Sequence, residues 1–306
     1  MIVAITGGTG FIGSQLVKHH LQQGDVVRLL SRKTSLKNLK VNCFLGDLSD
    51  VNVDLFDFVK DVDILYHCAG EVTNESLMYD LHIRGTRRLV DMAEGKIRRW
   101  VQLSSVGAYG ACRAGIITEN SEEQPNGIYE YTKTQSDAIV ISSGIPYVIL
   151  RPSKVIGMHI ANKSVSDLYQ LINLIKKGMF FYIGKKGALV NYIAVDDVVN
   201  ALFLCGNSKS ALGKIYNLSQ TTSLEKMVSS FSTVLGVNDN FLRLPETPIR
   251  ILTKIFEIFP KFPLTTNRIN GLTSRYTYNS NKIIKDLDFK FNNTLEEYFK
   301  LIASKK

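Results

Sequence analysis

The chain has 306 residues, 45% hydrophobic and 21% charged, the balance of a soluble globular protein long enough for a large core or two modest ones. No apolar run reaches bilayer length, and the opening Met1–Ile5 run carries no basic leader, so neither a membrane span nor a signal peptide is expected. A formal charge of +9 favours anionic partners. Without a basic run interleaved with aromatics, it predicts a phosphate-rich cofactor and substrate, not nucleic acid.

The first half alternates short apolar runs with helical patterns. Ile2–Thr6, Val26–Leu30, Cys43–Leu45, Ile64–Cys68, Trp100–Ser104 and Tyr147–Leu150 read as strands. Phe11–Gln22, Leu77–Met92 and Tyr129–Ser142 have helical spacing. Such alternation predicts right-handed βαβ units, hence an α/β fold of the Rossmann type: a doubly wound parallel sheet with helices on both faces. After Pro152 the pattern loosens into a helix over Ser164–Lys177, a strand over Leu189–Val195 and a helix from Asp196 through Cys205. Residues 1–158 with 189–219 are expected to form the dinucleotide-binding domain, and 159–188 with 220–306 a smaller C-terminal substrate lobe. The apolar stretch Pro248–Phe262 is expected to pack the small lobe onto the large one, with a membrane surface or a hydrophobic substrate as the alternatives. The four cysteines, Cys43, Cys68, Cys112 and Cys205, lack CxxC spacing. This argues for free thiols in a reducing cytoplasm.

The tract Thr6-Gly7-Gly8-Thr9-Gly10-Phe11-Ile12-Gly13 follows a strand and opens a helix. Glycines there let the backbone turn tightly against a pyrophosphate, which the amides and dipole of the helix N-terminus then hold. Gly7, Gly10, Phe11, Ile12 and Gly13 are the expected contacts. The second strand ends Leu29-Leu30-Ser31-Arg32-Lys33 without a carboxylate for the ribose hydroxyls, so Ser31 and Arg32 suit a 2′-phosphate, and NADP is expected over NAD. Asp47 and Leu48, after the third strand, are placed near the adenine. Asp47 could equally be a plain turn carboxylate.

TGGTGFIG at Thr6–Gly13, HCAG at His67–Gly70, LSSVGAYG at Leu103–Gly110, YEYTK at Tyr129–Lys133, LRPSKVIG at Leu150–Gly157 and NYIAVDDV at Asn191–Val198 occur in a telling order. Together they resemble the extended short-chain dehydrogenase/reductase family, the group of nucleotide-sugar epimerases and 4-ketoreductases. YxxxK alone says little, since it recurs at Tyr182/Lys186 and Tyr278/Lys282. Only Tyr129 lies on a helix downstream of a strand ending in Ser104-Ser105, where four-residue spacing puts phenol and ammonium on one face.

The resemblance implies a catalytic set of Ser105, Tyr129 and Lys133. Tyr129 would exchange a proton with the substrate oxygen, its pKa pulled down by cationic neighbours. Lys133 would also hold the nicotinamide ribose, and Ser105 with Val106 would meet the substrate. Ala69 and Gly70 would pass under the cofactor, and Pro152 and Ser153 would flank the nicotinamide. His82 stands where the family usually has a structural Asn, and a structural substitute is expected rather than a base. His19, His20, His67 and His159 have no metal-ligand spacing, so no metal is predicted.

Ser105-Val106-Gly107 lacks the acid of 4,6-dehydratases. The expected activity is therefore a nucleotide-sugar 4-ketoreductase or 4-epimerase, with Arg268 and Arg275 on the substrate pyrophosphate. The alternatives are a reductase of a steroid- or flavonoid-like ketone, with Phe256 and Phe259 closing an apolar tunnel, or a non-catalytic NADP sensor. Relatives pair through two helices, here Leu77–Met92 and Tyr129–Ser142, so a homodimer is expected.

Overall fold

Alternating side chains decide how the first half folds. In the Ile2–Thr6 strand, Val3 and Ile5 join the hydrophobic cluster on one face while Ala4 joins that on the other, as pleating requires. All three are fully buried, and a strand buried on both faces needs helices on both sides. The computed structural model, which describes residues 1–32, 40–111, 114–157, 163–256 and 264–305 (the backbone alone for 163–167), has that layering.

Seven strands form one sheet in the order Lys214–Leu218, Tyr147–Pro152, Ile97–Leu103, Val62–His67, Ile2–Thr6, Val26–Ser31, Asn42–Leu45, and every neighbouring pair is parallel. One face packs Leu16 and Val17 of the Phe11–Gln22 helix and Val198 and Leu202 of the Val195–Asn207 helix. The other packs Leu89 and Val90 of the Thr86–Ala93 helix and Ile139 and Val140 of the Ile128–Ser142 helix around Leu65 and Trp100. Each such side chain contributes on the order of 1.5–3 kcal/mol on full burial. Strand order reverses between Ile2–Thr6 and Val62–His67, and there Thr6 stands in register with His67. Ligands of open α/β sheets bind at the carboxyl ends beside this switch point.

A second core gathers Leu168, Ile172, Phe180, Phe231 and Phe299 over a three-stranded sheet. Its central strand, Leu189–Ala194, runs parallel to Lys154–Ile156 and antiparallel to Gln220–Ser223. Its helices carry local start and stop signals. Ser223 caps Leu224–Leu235, which ends at left-handed Gly236, and Thr294 with Glu297 forms a capping box for Leu295–Ala303. The Arg275–Tyr278 strand pairs with Ala114–Ile117, the strand that follows LSSVGAYG.

The apolar stretch at Pro248 departs from expectation. The Glu246–Phe256 helix buries Thr253 at 1% exposure and turns Ile251, Leu252 and Ile255 outward at 56%, 47% and 56%. These side chains therefore do not pack one lobe onto the other; residues 257–262 of the stretch lie outside the described residues.

Candidate active site

The glycine turn is built from steric necessity. Gly7 has φ +67°, and a Cβ there would stand 2.6 Å from the Ala69 nitrogen, so only glycine lets the turn close on the Cys68–Ala69 backbone. A Cβ on Gly13 would stand 2.3 Å from the Gly7 carbonyl. Gly10 heads the Phe11–Gln22 helix with no side-chain cap and no acid in the first turn, which leaves the Phe11, Ile12 and Gly13 amides and the positive helix end for an anion. Thr6 Oγ1 accepts the Ala69 N–H at 3.2 Å and holds the two strand ends together.

At the end of the second strand Ser31 is buried and Arg32 is exposed. The Arg32 guanidinium lies 3.9 Å from the Asp47 carboxylate, so the two lie side by side. Asp47 also accepts the Ser49 N–H at 2.8 Å, the plain turn role that the sequence left open. Leu48 is different. Its side chain is buried in the sheet core and its carbonyl accepts from Arg88, so only its main chain could meet a cofactor. Lys33 lies outside the described residues.

The three residues expected to be catalytic, Ser105, Tyr129 and Lys133, lie close together. Ser105 caps a short 3-10 turn, Val106–Tyr109, with its Oγ accepting the Gly107 N–H at 3.0 Å, and its hydroxyl is near enough to act on the Tyr129 phenol. A Cβ on Gly107 would meet Glu130 at 2.7 Å, so glycine lets the Tyr129 helix approach the turn. Lys133 is 5% exposed and its Nζ donates to the Leu103 carbonyl at 2.7 Å. Burial holds the Lys133 pKa below its usual value against the pull of Asp137.

The Tyr129 phenol differs from expectation. Burial pushes its pKa up to about 12, Glu130 and Asp137 add to the rise, and the Ser105 hydroxyl opposes it. No cation among the described residues is a leading cause of this shift, and the Lys133 ammonium donates to the Leu103 carbonyl. Ser153 and Pro152 are buried at the end of the Tyr147–Pro152 strand. The Ser153 N–H donates to Leu218 at 2.9 Å, while its buried Oγ has no partner among the described residues. A buried unpaired hydroxyl at a carboxyl strand end, an uncapped helix N-terminus and a backbone crevice that excludes Cβ atoms all fit a dinucleotide.

His82 sits in a π-helical turn, Asp80–Gly85, a local widening of the helix frequent at functional sites. Its Nε2 accepts the Glu71 N–H at 2.9 Å and its Nδ1 lies 2.8 Å from the Thr132 hydroxyl. Burial, with the Lys133 charge second, drives its pKa down to about 3. Both nitrogens are engaged and the ring stays neutral, so it is a structural group. A second buried chain runs Thr6–His67–Thr86–Ser136–Gln102–Trp100 through contacts of 2.7–3.0 Å. Sequence reasoning missed Thr132 and Asp137. Asp137 follows Lys133 by four residues on one helical face, which was a legible signal; it accepts from Ser104 at 2.6 Å and from buried Arg151 at 3.0 Å.

The proposed substrate contacts divide. Val106 is buried with Tyr109, Ile117 and Tyr278, so its side chain is core. Arg268 donates to Gln170 at 3.1 Å and does not line the lobe's cavity; Arg275 does. That cavity, of about 840 Å³, is lined by Lys185, Arg243, Arg250, Lys254 and Arg275 with a single acid, Glu246. Arg275 donates to the Lys185 and Lys186 carbonyls. Tyr278, three residues on and so about 10 Å along the strand, packs on Tyr109 of the catalytic turn. The other YxxxK pairs lie elsewhere, Tyr182 under Arg243 and Tyr278 in that aromatic cluster. Phe259, Cys112 and His159 lie outside the described residues. Among the described residues no cluster of His, Cys, Asp and Glu has metal-binding geometry, and no helix is long and apolar enough to cross a membrane.

Known proteins share this fold. The sequence profile of the NAD dependent epimerase/dehydratase family matches residues 3–219. A putative dihydroflavonol 4-reductase of Synechocystis is 28% identical over 309 residues, 92% of this chain and 88% of its own. The sterol-4-alpha-carboxylate 3-dehydrogenase of Bos taurus is 27% identical over 72% of this chain and 62% of its own. Among solved structures, UDP-glucuronic acid 4-epimerase from Bacillus cereus in complex with NAD superposes with a TM-score of 0.74 at 18% identity, over 99% of this chain and 96% of that one.

Proposed function

The chain belongs to the NAD dependent epimerase/dehydratase family, as an enzyme of the extended short-chain dehydrogenase/reductase type, and from that premise we propose that it is an NADP-dependent 4-ketoreductase of a nucleotide sugar. The observation that carries the chemistry is the Ser105 hydroxyl brought close to the Tyr129 phenol, one helical turn from the buried Lys133 ammonium. Gly7, Gly10, Phe11, Ile12 and Gly13 would hold the pyrophosphate, Ala69 and Gly70 would underlie the cofactor, and Ser153 Oγ and Lys133 Nζ would meet its nicotinamide half. Bound there, the dinucleotide supplies the hydride, which no side chain can.

Tyr129, protonated at neutral pH because its pKa is raised, is in the form that donates a proton to the carbonyl oxygen as that oxygen gains charge. The Ser105 hydroxyl orients the same oxygen, and Lys133 would hold the nicotinamide ribose. Ser31 and exposed Arg32, at the end of a strand whose own sequence carries no carboxylate, support NADP over NAD. A phosphate-bearing substrate is supported by the cationic cavity joined to the catalytic turn through the Arg275–Tyr278 strand. A hydrophobic ketone is the second reading. The outward Ile251, Leu252 and Ile255 beside that cavity favour it, as does the similarity to a putative dihydroflavonol 4-reductase and a sterol dehydrogenase.

Exposed Leu77, Tyr79, Ile128 and Tyr131 on the two pairing helices support a homodimer. Free Cys43, Cys68 and Cys205 support a reducing, cytoplasmic setting. The test is incubation with NADPH and a panel of nucleotide sugars, their 4-keto forms and hydrophobic ketones. NADPH loss in step with product establishes the reductase. A changed sugar without NADPH loss makes it an epimerase, and turnover of hydrophobic ketones alone overturns the sugar assignment.

A further inference from the structure

The Glu246–Phe256 helix is inside out for a soluble protein. Successive residues are about 100° apart around a helix, which sets Glu246, Arg250 and Thr253 on one face and Pro248, Ile251, Leu252 and Ile255 on the opposite one. The polar face is the one turned to the protein. Thr253 is 1% exposed, and Arg250 is held by Glu246 at 2.6 Å, Asn270 at 2.9 Å and Thr273 at 3.1 Å. Ile251, Leu252 and Ile255 are turned to solvent. Aliphatic side chains gathered on one face and turned outward mark a surface that something apolar covers.

Charge selects what covers it. The helix forms one wall of the cavity that holds Lys185, Arg243, Arg250, Lys254 and Arg275 against one acid. Among the described residues, Lys185, Lys254 and Arg275 form no salt bridge to a carboxylate. The whole chain carries +9. Aliphatic residues flanked by unneutralised cations are the signature of an interfacial helix on an anionic bilayer, with apolar side chains among the acyl chains and cations at the headgroups. We propose that this enzyme docks on an anionic membrane surface through the outward face of the Glu246–Phe256 helix, with Ile251, Leu252 and Ile255 as the inserted residues. A second copy of the chain, being equally cationic, would bring like charges together on this face, and is the less suited occupant.

The test is sedimentation of the full chain with vesicles of phosphatidylcholine alone or mixed equally with phosphatidylglycerol. Binding is expected to the anionic vesicles, weakening with salt, and a double variant, I251D with I255D, should lower the partition coefficient about tenfold or more. NADPH binding by that variant serves as the check on folding, and V51D, at an exposed valine far along the chain, should bind vesicles as the parent does. An independent readout is Ile255→Trp. The native Trp100 is fully buried, so a blue shift on adding anionic vesicles reports insertion of residue 255. Absence of binding to anionic vesicles, equal binding by the folded double variant, or loss of a dimer in that variant without vesicle binding in the parent each overturns the proposal. A failed substrate assay leaves it standing, since the vesicle experiment needs no turnover.

Discussion

His82 and Thr132, fifty residues apart, meet through a 2.8 Å contact between the imidazole Nδ1 and the threonine hydroxyl. Because Nε2 already accepts the Glu71 N–H, Nδ1 carries the proton and donates it. Thr132 passes its own proton to the Ile128 carbonyl at 2.8 Å, and the ring lies edge-on to Tyr129 with centroids 5.8 Å apart. One neutral histidine thus ties the segment after HCAG to the helix that carries Tyr129.

That tie makes folding acid-sensitive. The folded His82 pKa is about 3 against roughly 6.5 when unfolded, so below about pH 6.5 the unfolded state takes a proton that the folded state refuses. Stability is lost as pH falls through that window, by at most about 1.4 kcal/mol per unit from this group. His67, also depressed by burial, acts in the same direction. Urea unfolding at pH 7, 6 and 5 should show the decline, and His82→Asn should make it shallower. His82→Ala should cost about 1–3 kcal/mol at pH 7, since it orphans the Glu71 N–H.

Tyr129→Phe should lower the reduction rate about 10²–10⁴-fold while leaving NADPH affinity within about twofold, measured by fluorescence titration. Reduction needs the protonated phenol, and its pKa stands near 12. The parent rate should therefore show no Tyr129-linked fall between about pH 6 and 9. Full activity in the phenylalanine variant would remove the tyrosine from the mechanism.

Arg32 gives the cofactor preference a direct measurement. Its side chain is 71% exposed and faces Asp47 at 3.9 Å, so Arg32→Ala should perturb stability by less than about 1 kcal/mol. NADPH affinity should fall about tenfold with NADH affinity nearly unchanged. Equal loss for both cofactors would place Arg32 away from the 2′-phosphate.

Asp137 and Arg151 are each 1% exposed and 3.0 Å apart. Removing the carboxylate leaves a buried guanidinium with only the half-exposed Glu123 in support. Asp137→Asn should cost about 3–5 kcal/mol in urea unfolding. The Ser104 hydroxyl loses its charged acceptor in the same variant. A loss below about 1 kcal/mol would show that Glu123 and the Tyr109 ring suffice.

What the amino-acid order determined by itself was local or periodic. The apolar run Ile2–Thr6, the glycine-rich turn that follows it, and the one-face spacing of Tyr129 and Lys133 depend on near neighbours and backbone sterics, so they could be read without coordinates. The parallel sheet followed, because strands buried on both faces admit few layerings. Tertiary structure decided everything that depends on residues far apart in the chain. It put Val106 in a core with Tyr278, spent Arg268 on Gln170, sent Lys133 to the Leu103 carbonyl and raised the Tyr129 pKa by burial. It gave His82 two partners that no spacing rule names. It also turned Ile251, Leu252 and Ile255 outward, because the polar side of their helix found hydrogen bonds to Asn270 and Thr273. Whether an apolar face is core or surface depends on which side finds such partners, and that pairing is absent from the periodicity of the helix itself.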